Sequence, residues 1–170
     1  MRFFGRALLS SAVVLAACAG ADSPSDTLAV ASDAATPAPN SGAQTAAPAA
    51  TVTGQTHEVD MVIDAGQYKF VPAQITVKEG DAIKFNMVSG GPHNVAFDPE
   101  DIPDDMEPVL AANMPAEGGG MSKMAPLIGP LLMQVGTSYT VSFAGIKPGA
   151  YPFNCTPHLA MGMVGTVTVQ

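Results

Sequence analysis

From His57 onward, apolar residues recur at every second position in short runs. Val59, Met61 and Ile63 have Glu58, Asp60 and Asp64 around them; Ile75 and Val77 mark a second run, and Ile83, Phe85 and Met87 a third. A period of two places such residues on one face of a strand. Glu79-Gly80-Asp81 reads as a turn, and Gly90-Gly91-Pro92 breaks the rhythm before a further strand starts over residues 93–97. Tyr139, Val141 and Phe143 form the next run, Lys147-Pro148-Gly149 turns the chain, and residues 151–154 and 164–169 close it, while Phe70-Val71-Pro72 reads as a short connection. Several short strands punctuated by Gly and Pro predict an all-β sandwich.

Two stretches depart from this rhythm. Residues 98–133 open with Asp98, Glu100, Asp101, Asp104, Asp105 and Glu107, and later carry Gly118-Gly119-Gly120 and an apolar, Met-rich run to Met133. A short helix is expected over 104–113, capped by Asp104 or Asp105. Residues 19–56 are Ala, Pro, Ser, Thr, Gly and Asp for the most part, with no aromatic residue. Such a segment buries too little apolar surface to offset its ordering entropy and reads as a disordered linker, spanning about 35 Å as a flexible coil.

The first eighteen residues have the form of a signal peptide. Arg2 and Arg6 precede a short apolar core that closes on Leu15-Ala16-Ala17-Cys18. That tetrapeptide resembles the lipobox of bacterial lipoproteins, which implies lipidation of Cys18 and an anchor on the periplasmic or cell-surface face of a bacterial membrane; the plainer alternative is cleavage after Ala19 or Ala21. The expected organisation is therefore signal peptide 1–18, linker 19–56 and one domain over 57–170 with an extended insertion over 98–133. No stretch has the length of a membrane-spanning helix. Without Arg2 and Arg6, five basic residues face fifteen acidic ones, a net charge of about −10. That balance disfavours nucleic acid and anionic membrane surfaces, and favours a protein partner with a basic docking surface.

The chain has two cysteines. If Cys18 is lipidated or removed, Cys155 is a lone thiol in an exported protein, which calls for a special explanation. Its neighbours offer one. In Cys155-Thr156-Pro157-His158-Leu159-Ala160-Met161-Gly162-Met163, a thiolate, an imidazole and a thioether share one short loop. Two His and one Cys with a weak axial Met form the blue-copper pattern of electron-transfer sites. The loop supplies one His, so the second candidate is His93, in Pro92-His93-Asn94. For a lone Cys the ordinary reading is a small buried hydrophobe, and for a lone His a surface or core residue; His57 is assigned to the surface at the domain edge.

Together, Phe70-Val71-Pro72, Glu79-Gly80-Asp81, Pro92-His93-Asn94, Asp101-Ile102-Pro103 and the Cys155 loop with its exit strand resemble the cupredoxins, the blue type 1 copper proteins of the plastocyanin/azurin family, and most closely their plastocyanin-like branch. The resemblance implies a Greek-key sandwich with one type 1 copper, held by His93, Cys155, His158 and an axial Met. Met161 has the spacing of amicyanin-like loops. Met163 has the plastocyanin spacing and leads into a matching exit strand, so Met163 is preferred. In the family the amide matching Asn94 bonds the Cys sulfur, and the Asn side chain ties the ligand loops together. Pro157 has no N–H, so fewer donors at the sulfur and a fairly high potential are expected. The resemblance further implies a monomeric one-electron carrier that meets redox proteins at the exposed edge of His158, within an apolar collar of Leu159, Ala160, Met161, Gly91 and Pro92. Where plastocyanins carry an aromatic residue before the Cys as a second route, this chain departs with Asn154; the acidic run from Asp98 reads equally as a solvated loop or a steering patch. An alternative is copper delivery or buffering through Met121 and Met124, with Met106, Met114 and Met133 nearby. An enzyme of the multicopper type is not expected, because three His in all leave no ligands for another site.

Overall fold

The computed structural model describes residues 51–170; the expected signal peptide, Cys18 and most of the linker lie outside them. Two sheets face each other. One holds β1 (Thr56–Asp64), β2 (Gln67–Val71), β4 (Ala82–Met87) and β9 (Ser138–Ser142), in the order β2-β1-β4-β9. The other holds β3 (Gln74–Val77), β5 (Ala96–Phe97), β6 (Glu117–Gly118), β7 (Met121–Ala125), β8 (Ile128–Pro130), β10 (Gly149–Asn154) and β11 (Val164–Val169), in the order β3-β11-β10-β5-β8-β7-β6. β1 with β4 and β3 with β11 run parallel, and the remaining pairs are antiparallel. This is a Greek-key β-sandwich.

The alternation explains the layers. Val59, Met61, Ile83, Phe85, Val141, Tyr151, Phe153, Val167 and Val169 are all buried in one core. Phe153 of β10 meets Phe70 and Phe85 of the opposite sheet edge to face, with ring centroids 4.7 and 5.6 Å apart. These edge-to-face contacts bolt the two layers together. Gly165 on β11 makes room for that ring: a Cβ there would lie 2.4 Å from Phe153 and 2.8 Å from the Ala73 carbonyl. The Tyr151 hydroxyl donates to the Lys147 carbonyl at 2.8 Å and fixes the turn before β10.

The structure departs from the sequence reading at several elements; of the strand expected over 93–97, only Ala96–Phe97 is regular. Phe70-Val71 ends a real strand, β2, rather than a connection. Ile63 is 39% exposed, because β1 runs past the core at that end. The helix α1 is Glu107–Asn113 and neither Asp104 nor Asp105 caps it; Asp98 caps a 3-10 turn over Pro99–Asp101, and Asp105 pairs with Lys147. The Met-rich stretch builds β7 and β8, which extend the second sheet.

His57 also has a role beyond a surface position. Asp81 is 6% exposed, and its carboxylate accepts from the Lys78 amide at 3.0 Å, the Gln55 amide at 2.8 Å and His57 Nε2 at 2.9 Å. The predicted turn thus pins the start of β1. Those three hydrogen bonds, the Lys78 amide foremost, hold the Asp81 carboxyl down at about 2. A depressed folded-state value stabilises the fold above the unfolded value and is lost as pH falls through the folded one. Asp81→Asn is therefore expected to lower the melting temperature at neutral pH, with the gap to the unmodified protein closing between about pH 4 and about pH 2. A gap that stayed constant over that range would show that the carboxylate charge plays no part.

Candidate metal centre

The loop 155–163 closes on itself through its backbone. Cys155 precedes a 3-10 turn, Thr156–Met161, that brings His158 back beside it. Gly162 ends the turn with φ 80°, a left-handed conformation that glycine adopts without a Cβ clash. Reversal there lets the Met163 amide donate to the His158 carbonyl at 3.2 Å, and the Cys155 amide to the Met163 carbonyl at 3.1 Å. Cys155 and Met163 are both fully buried, whereas Met161 is 55% exposed.

His93 arrives from the other side of the sequence. Its backbone bridges Leu132, and its Nε2 lies 2.8 Å from the Ser89 carbonyl. A carbonyl only accepts, so Nε2 carries the proton and Nδ1 keeps its lone pair. That Nδ1 points at the loop. It lies 3.6 Å from Cys155 Sγ and 3.2 Å from His158 Nδ1, and Sγ lies 3.4 Å from His158 Nδ1. A point equidistant from the three atoms is about 2 Å from each, the bond length of a first-row metal to imidazole nitrogen. A soft cation needs unprotonated donors gathered this closely, and two imidazole nitrogens and a sulfur, all buried, offer such a set.

Electrostatics agree with that need. Burial pushes the His93 imidazole down, against the Ser89 carbonyl, and pushes His158 down with His93 adding to it, so both stay neutral, the form a metal requires. Burial pushes the Cys155 thiol up, while the amides of Asn94 and His158 pull the other way. Burial is the larger of these effects, and the His158 amide also donates to the Cys155 carbonyl at 3.0 Å; Pro157 has no N–H to give. The Asn94 side chain ties the two loops, accepting from the Thr156 amide at 2.8 Å and lying 3.3 Å from Thr156 Oγ1.

Two features at the surface were not anticipated. His158 is 5% exposed, so its edge is more covered than expected. Tyr68 of β2 stacks on it, with ring centroids 3.7 Å apart and planes at 9°. No local signal marks Tyr68, since β2 fully buries only Phe70 and shows no alternation. Around this stack Leu159 and Met161 are half exposed, in keeping with an apolar collar.

A β-sandwich with a buried His₂Cys cluster at the junction of two loops defines a cupredoxin. Residues 57–170 match the family of copper binding proteins described as plastocyanin/azurin, and the chain belongs to that family. It is 36% identical over 119 residues to a plastocyanin of Nostoc punctiforme, covering 69% of this chain and 76% of the relative. It is 35% identical over 113 residues to the plastocyanin of Rumex obtusifolius, covering 66% and 99%. Among solved structures, a mutant plastocyanin of fern is 34% identical with a TM-score of 0.48, covering 66% of this chain and 99% of that one. Copper is accordingly this protein's cofactor, and the donor set fits a type 1 site.

Proposed function

We propose that this protein is a membrane-tethered one-electron carrier, with His93, Cys155 and His158 as copper ligands and Met163 as the axial one. The observation that carries the reading is the buried triangle of two Nδ1 atoms and one Sγ. Copper bound there supplies a one-electron couple. The chain's part is to hold the donors in one geometry: Ser89 fixes the His93 tautomer, Asn94 locks the two loops, and the Cys155–Met163 backbone bond closes the ligand loop. Fixed donors suit both oxidation states and so lower the rearrangement that each transfer demands. The buried side chain of Met163 suits the axial position better than the exposed Met161. The Tyr68–His158 stack, inside the apolar collar, is the natural docking point for a redox protein, and the net negative charge favours a basic one. A lipid anchor at Cys18 on the outer side of a bacterial membrane, followed by a linker, would let the domain swing between partners as a monomer. No helix among the described residues is long and apolar enough to cross a membrane.

Copper delivery is the second reading. Met121, Met124 and Met133 are 44%, 58% and 53% exposed, and the Met124 sulfur lies 3.7 Å from Asn94 Nδ2, beside the site. Met106 and Met114 are buried in the core and serve packing. One equivalent of Cu(II) added to the full chain separates the two. An intense blue thiolate band that bleaches on reduction is expected for the carrier. A weak or absent band with tight Cu(I) binding would leave delivery as the function.

A further inference from the structure

The strand that carries His93 is poorly held by ordinary sheet pairing. Its regular part is Ala96–Phe97, which pairs with β10 at two positions and with β8 at one. On the β8 side, His93 exchanges both backbone bonds with Leu132, at 3.1 and 2.8 Å; the Gly129 amide donates to the Val95 carbonyl at 2.9 Å, and the Phe97 amide to the Leu127 carbonyl at 3.0 Å. The ladder slips between these bonds. His93 faces Leu132 but Ala96 faces Ile128, so the β8 side carries one more residue than the ligand side. Such a bulge disrupts the ladder locally. Opposite it, the Val95 amide donates to the Tyr139 hydroxyl at 2.6 Å rather than to a backbone carbonyl.

Tyr139 belongs to the other sheet. Its phenol reaches across the sandwich, is 5% exposed, and is kept protonated by burial. Strands β6 and β8 are shaped around it. A Cβ on Gly118 would sit 2.8 Å from the ring, and one on Gly129 would sit 2.8 Å from the hydroxyl oxygen. One side chain therefore joins three things: the core sheet, the 117–130 segment, and the amide two residues from His93 and next to Asn94.

We infer that Tyr139 is a positioning residue for the copper ligand His93, and that strands β6–β8 serve as the fixed edge against which it works. This rests on His93 being a ligand, as proposed above. The chemistry is selective: the ring fills space that any large side chain would fill, but only the hydroxyl answers the Val95 N–H. An unanswered buried amide favours local opening of the strand. Opening there displaces the His93 imidazole and the Asn94 bridge to Thr156 together.

Tyr139→Phe in the full chain tests this, because it keeps the ring and removes the acceptor. In the copper-free protein, amide exchange at Val95 and Leu132 is expected to quicken by more than the fold as a whole weakens. In the loaded protein, release of Cu(I) to a chelator is expected to quicken by about tenfold, the range for residues that orient a metal ligand, and the thiolate band to shift. Gly129→Ala, which pushes on the hydroxyl without changing it, should move the same readouts in the same direction, and stands in if Tyr139→Phe does not fold. Val77→Ala is the control: it opens a cavity in the core beside Val169, at the far end of β11 from Met163. If Val77→Ala, compared at equal loss of stability, speeds exchange at 93–97 and copper release as much as Tyr139→Phe does, the positioning role is overturned. A thiolate band missing from the unmodified chain would instead refute the copper assignment, and the copper-free exchange would still decide the clamp.

Discussion

Replacing Cys155 with Ser is expected to abolish the intense visible band of the copper-loaded protein and to weaken copper binding by at least about 100-fold, more than loss of an outer-shell partner costs. The sulfur is fully buried and lies within 3.6 Å of both imidazole Nδ1 atoms. A serine oxygen is harder and far less acidic, so it meets the softness of copper poorly and gives up its proton less readily to a metal. Visible spectra and a competitive Cu(I) titration measure the two effects. The fold should survive, since Ser differs little in volume. A variant that kept the band would require a different sulfur at the copper and would redirect attention to the methionines.

The largest effect on stability is expected at Phe153. Its ring touches Phe70 and Phe85 across the sandwich and lies 6.1 Å, centroid to centroid, from Phe97 within its own sheet. Phe153→Ala is expected to cost about 3–5 kcal/mol, the range for an aromatic removed from a packed core. Urea unfolding of the copper-free protein measures it. Gly165 provides a second arm. Gly165→Ala forces its methyl against Phe153 and the Ala73 carbonyl, an overpacking of about 1–3 kcal/mol. In a Phe153→Ala background the ring is gone, so the same change should cost less, with the Ala73 contact as the remainder. Strictly additive costs would mean that glycine is needed at 165 for the carbonyl alone. Phe153 sits two residues before Cys155, so its loss should also loosen the ligand loop, and copper should recover part of the stability by binding the folded state.

Much of the sandwich was legible because a strand with one buried face writes a period of two into the sequence. β4 is the clearest case: Ile83, Phe85 and Met87 are buried while Lys84 and Asn86 are half exposed. Where that condition fails, the signal vanishes. In β7 the residues Met121, Ser122 and Met124 are all exposed near the edge of the long sheet, and in β2 Phe70 alone is fully buried. Neither strand could announce itself through alternation, and Tyr68 went unnoticed with β2. The helix α1 was foreseen near its place but not its start, because the acids before it found other work: Asp98 caps the turn at Pro99, and Asp105 pairs with Lys147.

The sequence by itself determined the local chemistry. Cys155, His158 and Met163 lie within nine residues, and a Pro, a short turn and a Gly are enough to fold them toward one another. Residue types there decide what can be held, because softness and charge are properties of side chains. Only the tertiary structure decided the rest. It brings His93 Nδ1 within 3.6 Å of a sulfur 62 positions away, stacks Tyr68 on His158, and sets the Tyr139 hydroxyl against the Val95 amide. Each of these depends on strand pairing and sheet packing between distant segments, which no local pattern encodes, since the register of a strand is fixed by its neighbours and the core it must bury.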